Sequence, residues 1–347
     1  MSAMLATILE KTHRQPSYLV GVGDIPELGN PSAYRKNSRH FVVETDEYVA
    51  APGENHTPKF HYLKPDFIGV SNIEYDHPDV YANLAETAAA YLKFFSSLPQ
   101  NGKLVAFADN PTTLTVAKKS KTQLLTYGAH PQAHVRLIRY HVAQAKALCT
   151  FAYHRATHEF FLNVPGKFNA FNALCAISLA TELGVSHQAA TVAIKNFTGT
   201  MRRFQIVGTT KNGSTIVDDY AHHPTEIKAT LKAAKEWFPG RPLIAIFQPH
   251  TFSRTKTLLQ DFAQSFEAAD TVIFLPIYAS AREAPDPAVS SDLLAAETSR
   301  HHPHVYPLPN PAAVLQFLEE NASPESVIIT LGAGDIFSLA HQIPLNL

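Results

Sequence analysis

The chain has 347 residues, enough for two ordinary domains with cores that need no disulfide or metal staple. Apolar residues make up 45% and charged residues 17%, and 29 Lys plus Arg against 30 Asp plus Glu leave a formal charge of −1, which speaks against a nucleic-acid binder. The two cysteines, Cys149 and Cys175, form no CxxC pair, and no apolar run reaches the roughly 18 residues of a membrane span; a cytoplasmic protein with no membrane partner is expected.

In chain order, Met4, Leu5, Ile8 and Leu9 form a helical stripe. Arg39–Val43 and Phe67–Ser71 are apolar runs of strand length. Asn83–Leu98 reads as a helix with Leu84, Ala88, Tyr91, Leu92 and Phe95 on one face, stopped near Pro99 and Gly102. Lys103–Ala108 is the next strand. Leu124–Leu162 is rich in alternating β-formers and predicts an antiparallel patch, after which Phe168–Leu183 is a helix with Gly184 at C′. Around Gly199–Arg203 a second series begins. Its strands are Ser214–Val217, Leu243–Phe247, Thr271–Leu275 and Ser326–Leu331, and its helices Thr225–Trp237, Thr255–Ala269 and Pro311–Asn321. The alternation predicts an α/β protein with largely parallel sheets and a domain boundary near residue 200.

In such sheets ligands sit beyond the carboxyl ends of the strands. Four strand ends here are polar: Glu44-Thr45-Asp46-Glu47, Asn72 to Pro78 with Asp76-His77, Asp218 to Pro224 with His222-His223, and Gln248 to Arg254 with His250. Carboxylates and histidines together suit Mg²⁺ beside substrate phosphates, while His250 and Arg254 suit a phosphate or carboxylate. Each segment alone also reads as a solvated acidic loop, a helix N-cap or a turn. Four at strand ends point to a site.

The segments VVETDEY, SNIEYDHPDVY, PGKFNAFNALCAISLATELGV, RRF, VDDYAHHPTEI, FQPHTFSRTKTL and LGAGDI, in that order, resemble the signatures of the Mur ligase family over residues 4 to 340. The resemblance implies a truncated central ATPase domain over residues 1–199 and a Rossmann-like C-terminal α/β domain over residues 200–347. DDYAHHPTEI and FQPHTFSR look most like the members that join L-alanine to UDP-N-acetylmuramate. The implied chemistry is ATP-dependent: the muramyl carboxylate takes the γ-phosphate, and the alanine amine displaces it from the acyl phosphate. By motif position Glu44 holds one magnesium ion, with Glu47 as its neighbour, and His77 holds the second. Asn169 and Asn172 face the adenine. Arg203 and Asp219 hold the nucleotide, Asp219 at the ribose. Tyr220, His222, His223, His250 and Arg254 line the place where the muramyl acid meets alanine, with His222, His223 and Arg203 as the catalytic set.

Three departures stand out. Phe168 replaces a histidine usual in the alanine-adding members, and adenine stacks on either ring. Thr251 replaces an arginine, which bears on substrate recognition; Lys256 is the nearby cation. The family's GTxGKT[ST] loop belongs immediately before Ser2, and no GxxxxGK[ST] occurs in the 347 residues; Gly21-Val22-Gly23 is not followed by one. Such a loop cradles the ATP phosphates. The chain alone is therefore expected to bind ATP poorly and to be inactive, the loop and the uridine-nucleotide domain coming from a longer protein or a separate chain. A non-catalytic nucleotide- or amino-acid-binding protein and the tripeptide-recycling ligase are the alternatives.

Overall fold

The apolar stripe at the start of the chain becomes the helix Ser2–Lys11, in which every residue from Ala3 to Leu9 is buried. It packs on the helices Lys167–Glu182 and His187–Ile194. A helix enclosed on all sides needs more apolar residues than one stripe, and this one has them. The computed structural model describes residues 1–51, 54–279 and 283–346. Contacts divide the chain into two units, Met1–Gly199 and Thr200–Leu347.

The first unit is built on a six-stranded sheet in the order 156–162, 146–153, 135–143, 123–128, 103–107, 67–70. The strands Phe67–Val70, Lys103–Phe107 and Gln123–Gly128 run parallel. The antiparallel patch is therefore smaller than the β-former pattern predicts. Gln123–Gly128 belongs to the parallel part, and the antiparallel meander starts only at Val135. The reason is a helix, Pro111–Lys119, capped by Asn110, which supplies the crossover that parallel neighbours require. The helix Leu84–Phe95 starts where Asn83 accepts from the Glu86 N–H at 3.1 Å. Its Phe94 and Phe95 join Phe60, Ile68 and Leu104 in the core. A small sheet places Ser17–Leu19 between Ser32–Ala33 and Phe41–Val43.

The second unit carries the sheet order 205–209, 215–219, 327–331, 243–247, 271–274, 305–307, parallel throughout except for its edge strand Gln205–Thr209. Thr215–Asp219, Leu243–Phe247 and Val327–Leu331 are buried at every residue, as expected of parallel strands covered on both faces. One predicted helix is corrected. Residues 255–269 hold no single helix but two short ones, Phe252–Thr257 and Leu259–Ala263, meeting at Leu258, whose φ of −105° and ψ of 20° leave the helical basin. Past Ala263 the chain leaves the helix and buries Phe266 against Phe247 and Phe274, with ring centroids 5.6 and 5.2 Å away. Aromatic packing overrides the local periodicity.

Two buried aspartates close the strand 215–219. Asp218 accepts from Thr330 Oγ1 at 2.7 Å and faces Arg202 Nε at 3.3 Å. Asp219 is 5% exposed and accepts from the N–H groups of Phe204 and Ala221, both at 2.7 Å. Burial raises the Asp219 carboxyl to about 6, against the lowering influence of Arg203 and the two N–H donors. A carboxyl whose folded value lies above its unfolded one favours folding most when protonated, so this contribution is lost as pH rises from about 4 to 6. At about 1.4 kcal/mol per pH unit the loss reaches about 3 kcal/mol.

Two measurements check this architecture. Trp237, the single tryptophan, sits in the second unit and reports its unfolding. By urea titration, the stability of the native chain minus that of Asp219→Asn should fall by up to about 3 kcal/mol between pH 4 and 6; a flat or rising difference would contradict the burial argument. Gly332 has φ +148°, and a Cβ there would lie 2.7 Å from the Gln248 carbonyl oxygen. Gly332→Ala should cost about 1–3 kcal/mol by the same readout, and an unchanged urea midpoint would show that the two segments do not meet.

Candidate active site

In the first unit the segment after the strand Phe41–Val43 carries two acids with different surroundings. Glu44 is exposed, its carboxylate beside Gly21 and its N–H donating to the Leu19 carbonyl at 2.8 Å. Glu47 turns the other way and joins Asp76 and His77. One ligand atom from each of the three lies within 4.8 Å of the other two, the one such group among the described residues. His77 Nε2 is 3.8 Å from Glu47 Oε1 and 3.6 Å from Asp76 Oδ2. Asp76-His77 follows the strand 67–70 and Glu47 the strand 41–43, so two strand ends supply the set.

Tyrosines surround it. Tyr48 stacks obliquely on His77, centroids 4.7 Å apart, and donates to Asp79 at 2.8 Å. Tyr81 donates to the Glu47 carbonyl at 2.7 Å, and Tyr91 to Glu47 Oε2 at 2.8 Å. Burial first, then the Glu47 charge, push both hydroxyls above their usual range, so they stay protonated donors. Two carboxylates and one imidazole at this spacing suit a divalent cation such as Mg²⁺ or Mn²⁺, since closely set acids gain from a shared positive charge.

Asn169 and Asn172 lie one turn apart on the helix Lys167–Glu182. Asn169 Nδ2 donates to the Pro165 carbonyl at 2.7 Å, and Asn172 Nδ2 to Asn169 Oδ1 at 3.3 Å. The helix opens at Gly166, φ +94°, where a Cβ would meet the Phe168 ring at 2.3 Å. A glycine is required for the ring to lie there.

In the second unit, parallel pairing brings the ends of the strands 215–219, 327–331 and 243–247 side by side. His222 Nδ1 lies 2.9 Å from the Tyr220 carbonyl. That oxygen can only accept, so Nδ1 carries a proton, and Glu226 Oε2 lies 3.4 Å from the same nitrogen. His222 and His250 rings are 6.5 Å apart. His250 stacks on Tyr278 at 5.7 Å and 15°, and its Nδ1 is 3.4 Å from the buried guanidinium of Arg254. Thr251 holds φ +70° and ψ 141°, a strained conformation for a β-branched residue, between two bonds of its backbone to Tyr278 and Thr255. His223 caps the helix Pro224–Trp237, its Nδ1 accepting from the Thr225 N–H at 3.3 Å, while Glu226 accepts from the N–H groups of His222 and His223.

The two neighbouring arginines divide their work. Arg202 lies between the rings of Tyr220 and Phe337, at 4.9 and 4.8 Å, and donates to the Gly332 carbonyl at 2.6 Å. Arg203 is 47% exposed, over the Tyr220 ring at 5.3 Å and 3.9 Å from Glu226. Sequence reasoning singled out Arg203 and not Arg202; it named the Asp76-His77 pair but gave the ion to His77 alone, and it did not single out Tyr91, because a tyrosine on an apolar helix face carries no such signal.

Residues 27–180 match the Mur ligase middle domain and residues 202–334 the Mur ligase glutamate ligase domain. Over 346 residues the chain is 34% identical to the UDP-N-acetylmuramate–L-alanine ligase of Desulfitobacterium hafniense (strain Y51), covering 99% of this chain and 74% of that protein. The protein of the same name from Caldanaerobacter subterraneus subsp. tengcongensis is 36% identical over 343 residues, covering 98% and 72%. Among solved structures, the UDP-N-acetylmuramate-alanine ligase MurC of Thermotoga maritima superposes with a TM-score of 0.78 at 24% identity, over 99% of this chain and 71% of that one. The MurF ligase of Thermotoga maritima, solved in complex with ADP, gives 0.77 at 14%, over 99% and 75%. With this identity sustained across nearly its whole length, the chain belongs to the Mur ligase family.

Proposed function

We propose that this chain provides the middle and C-terminal domains of an ATP-dependent ligase that joins L-alanine to UDP-N-acetylmuramate in making a peptidoglycan precursor. The observation that carries the reading is the 34–36% identity over at least 98% of the chain to ligases of that name. The arrangement of cations and histidines at the carboxyl ends of the second sheet supports it.

In this reading the muramyl carboxylate oxygen attacks the γ-phosphorus of ATP, and the bond to ADP breaks. The alanine amine then attacks the acyl carbon, and phosphate leaves from the tetrahedral intermediate. The amine must first lose a proton. His222 is the base proposed for that step, acting through Nε2 in its neutral form, because its Nδ1–H is committed to the Tyr220 carbonyl. Arg203, reaching solvent over Tyr220, and the His250–Arg254 pair are the proposed anion holders, for phosphate and carboxylate oxygens. Asp219 and His223 contribute through backbone: Asp219 fixes Phe204 and Ala221, and His223 fixes the start of its helix. Asn169, Asn172 and Phe168 form the proposed adenine face, with amide groups for its edge and a ring for its plane.

A divalent cation, when bound, supplies charge neutralisation to the phosphates. Glu47, Asp76 and His77 are the residues proposed to hold it, and Glu44 the acid proposed for a second ion.

Phosphate release from ATP that depends on both UDP-N-acetylmuramate and L-alanine tests the assignment, in a preparation that pairs the chain with a GxxxxGK[ST] phosphate loop. There His222→Ala should lower kcat by about 10²–10⁴-fold. Release that requires a tripeptide and ignores L-alanine would replace the alanine reading with the recycling one. Nucleotide binding without release would favour a binding protein.

A further inference from the structure

Glu47 lies in a stretch without helix or strand, between the strands Phe41–Val43 and Val49–Ala51. A carboxylate on such a segment turns freely about its side-chain torsions unless something holds it, and ordering a glutamate side chain costs roughly 1.5–2 kcal/mol of rotamer entropy. Here both of its backbone and side-chain acceptors are held by phenols. Tyr81 takes the carbonyl and Tyr91 takes Oε2, leaving Oε1 as the oxygen turned toward His77.

Tyr91 is itself fixed. It stands on the helix Leu84–Phe95, and its ring packs against Phe60 at 5.1 Å and Phe95 at 5.8 Å. Phe60 in turn stacks on Phe94 at 4.6 Å and 12°, inside the core that also holds Ile68 of the sheet. The position of one hydroxyl is thereby set by the aromatic core of the first unit, and it sets the position of the carboxylate.

We propose that Tyr91 is a positioning residue that makes Glu47 a one-oxygen ligand and thereby tunes the Glu47–Asp76–His77 site toward a small divalent cation. This rests on the reading of that cluster as a cation site. An Oε2 engaged by a phenol competes poorly for the ion, so Glu47 offers Oε1 alone. Mg²⁺ and Mn²⁺ are held by single carboxylate oxygens and water, whereas Ca²⁺ takes six to eight ligands and readily accepts both oxygens of one acid. Outer partners that orient a metal ligand typically change affinity by about 10–100-fold. Removing the hydroxyl should therefore weaken Mn²⁺ binding and spare Ca²⁺, a change that loss of packing alone would not produce.

The test uses the 347-residue chain and metal alone. Mn²⁺ binding is followed by its electron paramagnetic resonance signal, with Ca²⁺ as competitor, for the native chain, Glu47→Gln, Tyr91→Phe and Tyr81→Phe. The phenylalanine at 91 keeps the ring among Phe60 and Phe95. Tyr91→Phe is expected to raise the Mn²⁺ dissociation constant about 10–100-fold and to lower the preference for Mn²⁺ over Ca²⁺. Tyr81→Phe, which touches only a backbone carbonyl, should change that preference little. If the native chain shows no saturable binding, or Glu47→Gln binds like it, the cation site itself is wrong. If Glu47→Gln weakens binding and Tyr91→Phe does not, the site stands and the role of Tyr91 falls. Should Tyr91→Phe not fold, 3-fluorotyrosine at position 91 gives a ¹⁹F resonance that must shift on adding Mg²⁺, and a resonance that stays in place would overturn the proposal.

Discussion

Parallel pairing in the second sheet is the constraint that most of the candidate site depends on. The strands 215–219, 327–331 and 243–247 run side by side in one direction, so the segments that leave their carboxyl ends must emerge at the same edge. The contacts between those segments are backbone contacts: the Gly332 N–H reaches the Asp219 carbonyl, and the Gln248 N–H reaches the Leu331 carbonyl. Side-chain ties are added on top, with Gln248 bonded to Asp335 and Arg202 to the Gly332 carbonyl. His222 and His250 come within 6.5 Å because the strands beneath them, 215–219 and 243–247, both pair with 327–331 in the same direction, although the two residues lie 28 positions apart in the chain.

This arrangement has costs that the fold accepts locally. Two aspartates are buried at the end of a fully covered strand, and Asp219 bears an unfavourable environment that its two N–H donors and Arg203 only partly offset. Thr251 holds a backbone conformation that glycine would adopt more readily. Both sit in or next to the segments that carry the polar residues, and apart from Thr215 and Thr330 the rest of those strands is apolar. A buried carboxyl and a strained threonine beside the polar residues at the carboxyl ends of these strands are the pattern expected where geometry serves ligands rather than stability.

The first unit solves a related problem differently. Its acids and histidine lie on segments beyond short strands, with little regular structure to hold them. Order comes from phenols anchored in the core: Tyr91 and Tyr81 on Glu47, and Tyr48 on Asp79 with its ring against His77. A tyrosine can do both tasks because its ring packs as a hydrocarbon while its hydroxyl reaches a polar partner.

Much of this was legible from residue order. Apolar runs of strand length and helical periodicity located most of the sheet strands and the long helices, because burial on both faces leaves a local imprint. The motif residues, from Glu44 and His77 to His250 and Arg254, could be picked out by chemistry and resemblance. What local pattern could not carry was everything set by partners distant in the chain. The strand 123–128 is parallel because a helix crosses before it, and the helical run expected to reach Ala269 stops at Ala263, after which Phe266 packs on Phe247 and Phe274. In the same way Glu47, and not Glu44, meets His77, since the direction of an acid on an irregular segment is decided by a hydroxyl 44 residues away. Local chemistry names the groups that are present; only the packed core selects which of them face each other, because orientation is fixed by contacts that sequence neighbours do not make.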